Sequence, residues 1–210
     1  MLGLVVKDLL CLKKTALKMV VILGLYIVIF FSANNIAFLC AMIIMISTML
    51  ILNTFAYDEL SKWDYYALSL PVTKKQIVLG KYLLTVLFDF IGILITLLLY
   101  LIKRQLNLEA ALSICALAAI ALIMAAILLP LLYKLGTQKA RIWMIMIFLL
   151  PTAAVIVLGN LVGNFGFHLT ASMPSEGTIG LLIWVSLPVA LLLYAGSYLL
   201  SYKVFLSKEI

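Results

Sequence analysis

The chain has 210 residues, of which 67% are apolar and 11% charged, with a mean hydropathy of +1.27 and a formal net charge of +7. A soluble domain carries about 25% charged residues and must turn many of its side chains to water, so this composition excludes a soluble globular fold and places the chain in lipid. The positive charges sit in short clusters between apolar runs, which points to anionic lipid headgroups and away from nucleic acid.

Residues 1–18 are amphipathic if helical. Lys7, Asp8, Cys11, Lys14, Thr15 and Lys18 share one arc; Leu2, Val5, Val6, Leu9, Leu10, Leu12, Ala16 and Leu17 share the other, with Lys13 intruding. This predicts a helix lying in the membrane surface with its lysines toward phosphates, the alternative being a helical extension of the first span.

Six apolar runs follow: Met19–Phe31, Ile36–Phe55, Tyr82–Ile102, Ala110–Leu132, Ile142–Val162 and Ile179–Leu200. Most approach the ~20 residues that a bilayer core requires, so the expectation is an all-α integral membrane fold with six transmembrane helices in one domain, 1–210. The first run is short and spans only if its flanks are drawn in or the bilayer thins. Asn34–Asn35 supplies an outer turn.

With the N-terminus inside, thirteen Lys and Arg fall on the cytoplasmic side and two, Lys103 and Arg104, outside. That bias predicts both termini in the cytoplasm. Pro151 and Pro188 lie within the fifth and sixth spans and should kink them. Ala121 and Ala125 offer a small-residue face for close helix approach. Cys11, Cys40 and Cys115 have neither disulfide nor zinc spacing and read as packing residues. His168, the single histidine, reads as an outer-loop residue with no metal-ligating partner.

The informative segment is the cytoplasmic loop 56–81. Asp58, Glu59 and Asp64 are three of the eight acidic residues of the chain, and Trp63, Tyr65 and Tyr66 interleave with them. Pro71 ends what precedes it. Thr73 and Gln76 then form a capping box, with Val72 and Ile77 as its hydrophobic staple, so the next helix is expected to begin near Lys74. Between them lies a short independent piece, about residues 61–70. Acidic and aromatic residues on such an elbow suit a docking surface for another protein; an interfacial aromatic belt with solvated charges is the bland alternative.

The string Asp58-Glu59, Lys62-Trp63-Asp64-Tyr65, Leu68-Ser69-Leu70-Pro71-Val72 and Ile77-Val78-Leu79-Gly80-Lys81-Tyr82 resembles the signature loop of type 2 permease subunits of ATP-binding-cassette transporters. The resemblance is nearest to small six-span bacterial permeases that include exporters of phenol-soluble modulin peptides. It implies a bacterial cytoplasmic-membrane permease in which two subunits, identical or paralogous, pair and each docks a separate cytoplasmic ATPase. The ATPase-coupling element is then Ser61, Lys62, Trp63, Asp64, Tyr65, Tyr66, Leu68 and Ser69, flanked by Asp58 and Glu59. A short outer segment, 163–177, also has a fitting length.

The chain carries no phosphate-binding loop: Gly80-Lys81 is followed by Tyr82, and Lys75 stands where the first glycine is needed. It is therefore expected to bind no cofactor and catalyse no reaction itself, with ATP and Mg on the partner. Asp89 is the one ionisable residue inside an apolar span. A charge there costs roughly 3 kcal/mol, so Asp89 should face protein or a wet cavity, lining a translocation path or packing in protonated form. Two other classes stay open: a bacteriocin-immunity membrane protein without transport of its own, and an intramembrane enzyme, which one histidine serves poorly.

Overall fold

The computed structural model of the protein describes residues 2–32, 36–69, 71–164 and 176–207. The Asn34–Asn35 turn, Leu70, His168 and most of the outer segment 163–177 lie outside the described residues, as do the side chains of Asp64 and Leu68. Six helices run in order: α1 (Leu2–Ser32), α2 (Ile36–Leu60), α3 (Trp63–Ser69), α4 (Lys74–Ile102), α5 (Leu108–Asn164) and α6 (Glu176–Leu206). No strand occurs among the described residues. All six apolar runs are helical over their described residues. Four stretches among them are long and apolar enough to cross a membrane: Met42–Leu60, Lys74–Ile102, Leu108–Trp143 and Ile183–Leu206.

Local chemistry sets the helix ends where the sequence predicts them. α4 starts at Lys74 because Thr73 Oγ1 accepts from the Gln76 N–H at 3.3 Å while Gln76 Oε1 accepts from the Thr73 N–H at 3.1 Å. Val72 and Ile77 join one apolar cluster beside it. At the other end of α4 the Lys103 N–H donates to the Leu99 carbonyl at 3.2 Å, and Arg104 turns the chain at φ 52°. Lys62, at φ 50°, makes the matching break between α2 and α3.

The core lies toward the α3 end of the bundle. Leu12 of α1, Phe55 of α2, Ala67 of α3, Val78 of α4, Leu129 of α5 and Phe205 of α6 all belong to one buried cluster. Away from it, leucines and valines face outward, as in Leu192 of α6 and Val28 of α1. α4 shows the rule. Lys81, Thr85, Asp89, Gly92 and Thr96 are buried, while Leu83, Leu87, Phe90, Leu94 and Leu98 are exposed. In lipid the apolar groups need no protein cover and the polar and small ones do, so the helix turns its polar stripe inward. Ala121 and Ala125 of α5 are buried, as their spacing predicts.

Two features differ from the sequence expectation. α1 is one unbroken helix, and its polar arc does not simply face phosphates: Asp8 is 4% exposed and Leu12, assigned to the lipid arc, is buried in the protein core. The loop expected between the fourth and fifth spans is helical on both sides of a single break, Gly136, at φ 75° and ψ 174°. The non-helical backbone inside α5 is at that glycine, and α6 is helical on both sides of Pro188, which lies inside it.

Candidate functional site

Four charged side chains from three helices meet at the α3 end. Lys7 Nζ lies 2.9 Å from Asp8 Oδ1 and 2.6 Å from Asp58 Oδ1. Lys81 Nζ lies 2.9 Å from Asp8 Oδ2 and 2.5 Å from Asp58 Oδ2. Each carboxylate thus bridges both ammonium groups, and the quartet is neutral. α1 supplies Lys7 and Asp8, the last turn of α2 supplies Asp58, and α4 supplies Lys81. Lys81 is 6% exposed, a depth at which an ammonium requires opposite charge. Burial acts to lower the Lys7 pKa, but bonding and charge from Asp58 and then Asp8 outweigh it and leave the pKa raised. Lys7 therefore stays cationic through neutral pH. Its share of the stabilisation is present below the ordinary lysine range and is lost only as pH climbs through the raised value.

Aromatic rings close the quartet on two sides. Lys7 Nζ stands 4.0 Å from the centroid of the Trp63 ring, and Lys81 Nζ 5.1 Å from that of Phe55. Tyr57 extends the tie to α1, its hydroxyl 2.7 Å from Thr15 Oγ1. The adjacent Glu59 turns to α5: one oxygen accepts from the Thr137 N–H at 3.0 Å and also from the Thr137 hydroxyl. Between these contacts is a cavity of ≈ 70 Å³ lined by Phe55, Asp58, Glu59, Ile77, Lys81, Leu132, Tyr133, Gly136 and Thr137. That is room for about two water molecules.

The elbow residues divide into two groups. Asp58 and Glu59 are held by partners within the chain. Ser61 ends α2, its hydroxyl donating to the Tyr57 carbonyl at 2.8 Å. Lys62 is exposed in the turn. Trp63 is half-buried and Ala67 fully buried, so these two anchor α3 to the bundle. On the outside, Tyr65 is 63% and Tyr66 65% exposed, with Leu60 beside the turn at 82%. Ser69 closes α3 by donating to the Tyr66 carbonyl at 2.8 Å.

Asp89 belongs to a separate place, two turns further along α4. It is 7% exposed, and its Oδ2 has no hydrogen-bond partner among the described residues. It borders a crevice of ≈ 10 Å³ between α2, α4 and α5, with Ser47, Gly92, Thr96 and Ala121 among the lining residues. The sequence expectation that this carboxyl faces protein holds. The crevice admits one water molecule at most.

Sequence reasoning missed Lys7, Asp8, Lys81, Gly136 and Thr137 as parts of one site. Lys7 and Asp8 were legible only as a polar arc, and Gly80-Lys81 only as the end of the elbow string and as a failed phosphate loop. The Gly136-Thr137 pair, a helix stop followed by a helix start, was the available signal for the break. A second polar network was equally hidden. Tyr82 Oη lies 2.8 Å from both Ser197 Oγ and Ser201 Oγ, and Tyr194 Oη donates to the Tyr82 carbonyl at 2.8 Å. Ser197 Oγ in turn donates to the Ala126 carbonyl at 2.6 Å, so this network fastens α4 and α5 to α6.

No metal-binding group of three or more His, Cys, Asp or Glu occurs among the described residues. No curated protein and no solved structure matches the chain. A family model does: residues 3–206 match the one described as ABC-2 family transporter protein. The anchored seven-residue α3, the polar-inward helices and this match over nearly the whole length lead to one conclusion, that the chain belongs to the ABC-2 transporter family.

Proposed function

We propose that the chain is the permease of an ATP-driven exporter in which α3 docks a cytoplasmic ATPase and a second permease subunit completes the translocation path. Family membership makes the chain a multi-pass membrane component of an ABC transporter, a role that is not itself catalytic, and implies association with an ATP-binding cassette subunit. ATP and Mg then belong to that partner. The observation that carries the docking reading is α3 itself: a separate short helix whose inner residues are anchored while Tyr65 and Tyr66 stand outward. Exposed tyrosines on a rigid support are what a protein interface uses as anchors.

The finer reading has six spans, both termini in the cytoplasm and a bacterial cytoplasmic membrane, as the charge bias supports. Lys13, Lys14 and Lys18 are exposed on α1 and suit anionic headgroups. Amphipathic or hydrophobic peptides are the proposed cargo, from the family resemblance of the elbow. Asp89 is the charged group proposed for the path.

The test is co-purification with the ATPase followed by transport in reconstituted vesicles. Tyr65→Ala with Tyr66→Ala should leave the permease inserted and folded while ATPase affinity falls at least roughly 30-fold, as loss of interface anchors does. Undiminished binding by this double variant places docking elsewhere. Asp89→Asn should retain assembly and lose transport several-fold; wild-type transport by Asp89→Asn removes that residue from the path.

A further inference from the structure

We infer that Glu59 is a positioning residue that sets the kink of α5 at Gly136, and so lets the α2–α3 elbow control the direction of the arm 137–164. Gly136 adopts φ 75°, a left-handed conformation that a glycine tolerates and most residues do not. The helix must start again at Thr137, and a restarting helix presents N–H groups with no partner of its own. Glu59 supplies one: a single carboxylate oxygen takes both the Thr137 N–H, at 3.0 Å, and the Thr137 hydroxyl. Its negative charge also suits the positive end of the arm's dipole. Residue 59 thus acts as an N-cap delivered from another helix, 78 positions away in sequence.

Three further observations make this a control point. A β-carbon at Gly136 would stand 3.0 Å from Glu59 Oε1, so any larger residue there would press on the carboxylate that holds Thr137. The ≈ 70 Å³ cavity lies directly against Gly136, Thr137 and Glu59, which leaves the kink room to change without collapsing packed side chains. The preceding residue, Asp58, is tied to Lys7 of α1 and Lys81 of α4. Consecutive carboxylates therefore do different things: Asp58 fixes the end of α2 to the bundle, and Glu59 reaches over to hold the arm. α3 begins four residues after Glu59, and its Trp63 ring lies under Lys7. A displacement of α3 thus acts at the one point where the α5 backbone departs from a helix.

That the displacement comes from an ATPase rests on the docking reading above; the hold of Glu59 on the kink does not. The experiment separates the two. In full-length permease with Cys11, Cys40 and Cys115 replaced, Ile127→Cys and Ile145→Cys carry spin labels on the two arms, both positions being exposed. Pulsed electron resonance in lipid nanodiscs then reads the distance between them. Parent protein should give one narrow distribution, and Glu59→Ala a shifted or broadened one. Glu59→Gln should keep the parent distribution, because an amide oxygen accepts both Thr137 donors. An unchanged distribution in Glu59→Ala overturns the inference. So does a disturbed one in Glu59→Gln at parental thermal stability, since the hydrogen bonds would then not be what matters. In the assembled transporter at saturating ATPase, Glu59→Ala should lose at least roughly fivefold of its cargo-stimulated hydrolysis. Normal stimulation alongside an altered kink overturns the coupling route. Parent permease that fails to bind any ATPase sinks the docking reading and leaves the distance measurement standing.

Discussion

Asp58 lies between two lysines, and neither of its oxygens is left to water alone. Removing one member of a buried charge network costs more than the network contributes, because the partner left behind keeps its desolvation penalty. Asp58→Asn leaves Lys7 and Lys81 facing Asp8 alone, a net positive charge at a site where Lys81 is 6% exposed. We expect this variant to lose about 3 kcal/mol. Asp58→Asn together with Lys81→Met leaves the neutral Lys7–Asp8 pair and should be more stable than Asp58→Asn by at least ~1 kcal/mol. Thermal unfolding in detergent, run as a double-mutant cycle, checks both. Strict additivity would show that the four groups do not act together. None of this was legible in the sequence. Lys7 and Asp58 are 51 positions apart, and no periodicity links them.

Helix ends, by contrast, were legible wherever one short stretch of chain holds all the donors and acceptors. The Thr73–Gln76 capping box is such a case, and α4 begins where it requires. The seven-residue α3 follows from the same logic, since Pro71 and the turn at Lys62 bound it. The α5 break was missed for the opposite reason: the group that satisfies Thr137 comes from α2. Close approach of whole helices was equally hidden. A β-carbon on Gly92 of α4 would lie 3.0 Å from Ile43 Cγ2 and 3.4 Å from Ser47 Oγ of α2. Gly92→Val should therefore push α2 and α4 apart, costing about 1–3 kcal/mol, with Gly92→Ala intermediate. Chemical or thermal denaturation reads the difference. A fully stable Gly92→Val would mean that α2 is not held so near.

Across the whole bundle, the charge bias is the basis of the proposed orientation, and polarity sets the packing. α4 has 29 residues and so is about 43 Å long, enough to put Lys74 and Lys103 at opposite faces of a bilayer. The exposed Arg104 and Lys139 serve as reporters. In the cysteine-free chain, Arg104→Cys should react with an impermeant thiol reagent on intact cells and Lys139→Cys only after lysis. The reverse pattern would invert the proposed topology. Composition alone determined that the chain lives in lipid, and each apolar run is helical because a backbone in hydrocarbon must satisfy its hydrogen bonds within the segment. The elbow sequence Asp58–Tyr82 carried the family. Tertiary structure decided what each polar residue does. Asp58 and Glu59 look alike as neighbours in an acidic loop; folding sends one to Lys7 and Lys81 and the other to Thr137. Hydropathy is a property of segments, whereas an ion pair is a property of two points in space. Only the packed helices bring residues 7, 58, 81 and 137 to the same end of the molecule.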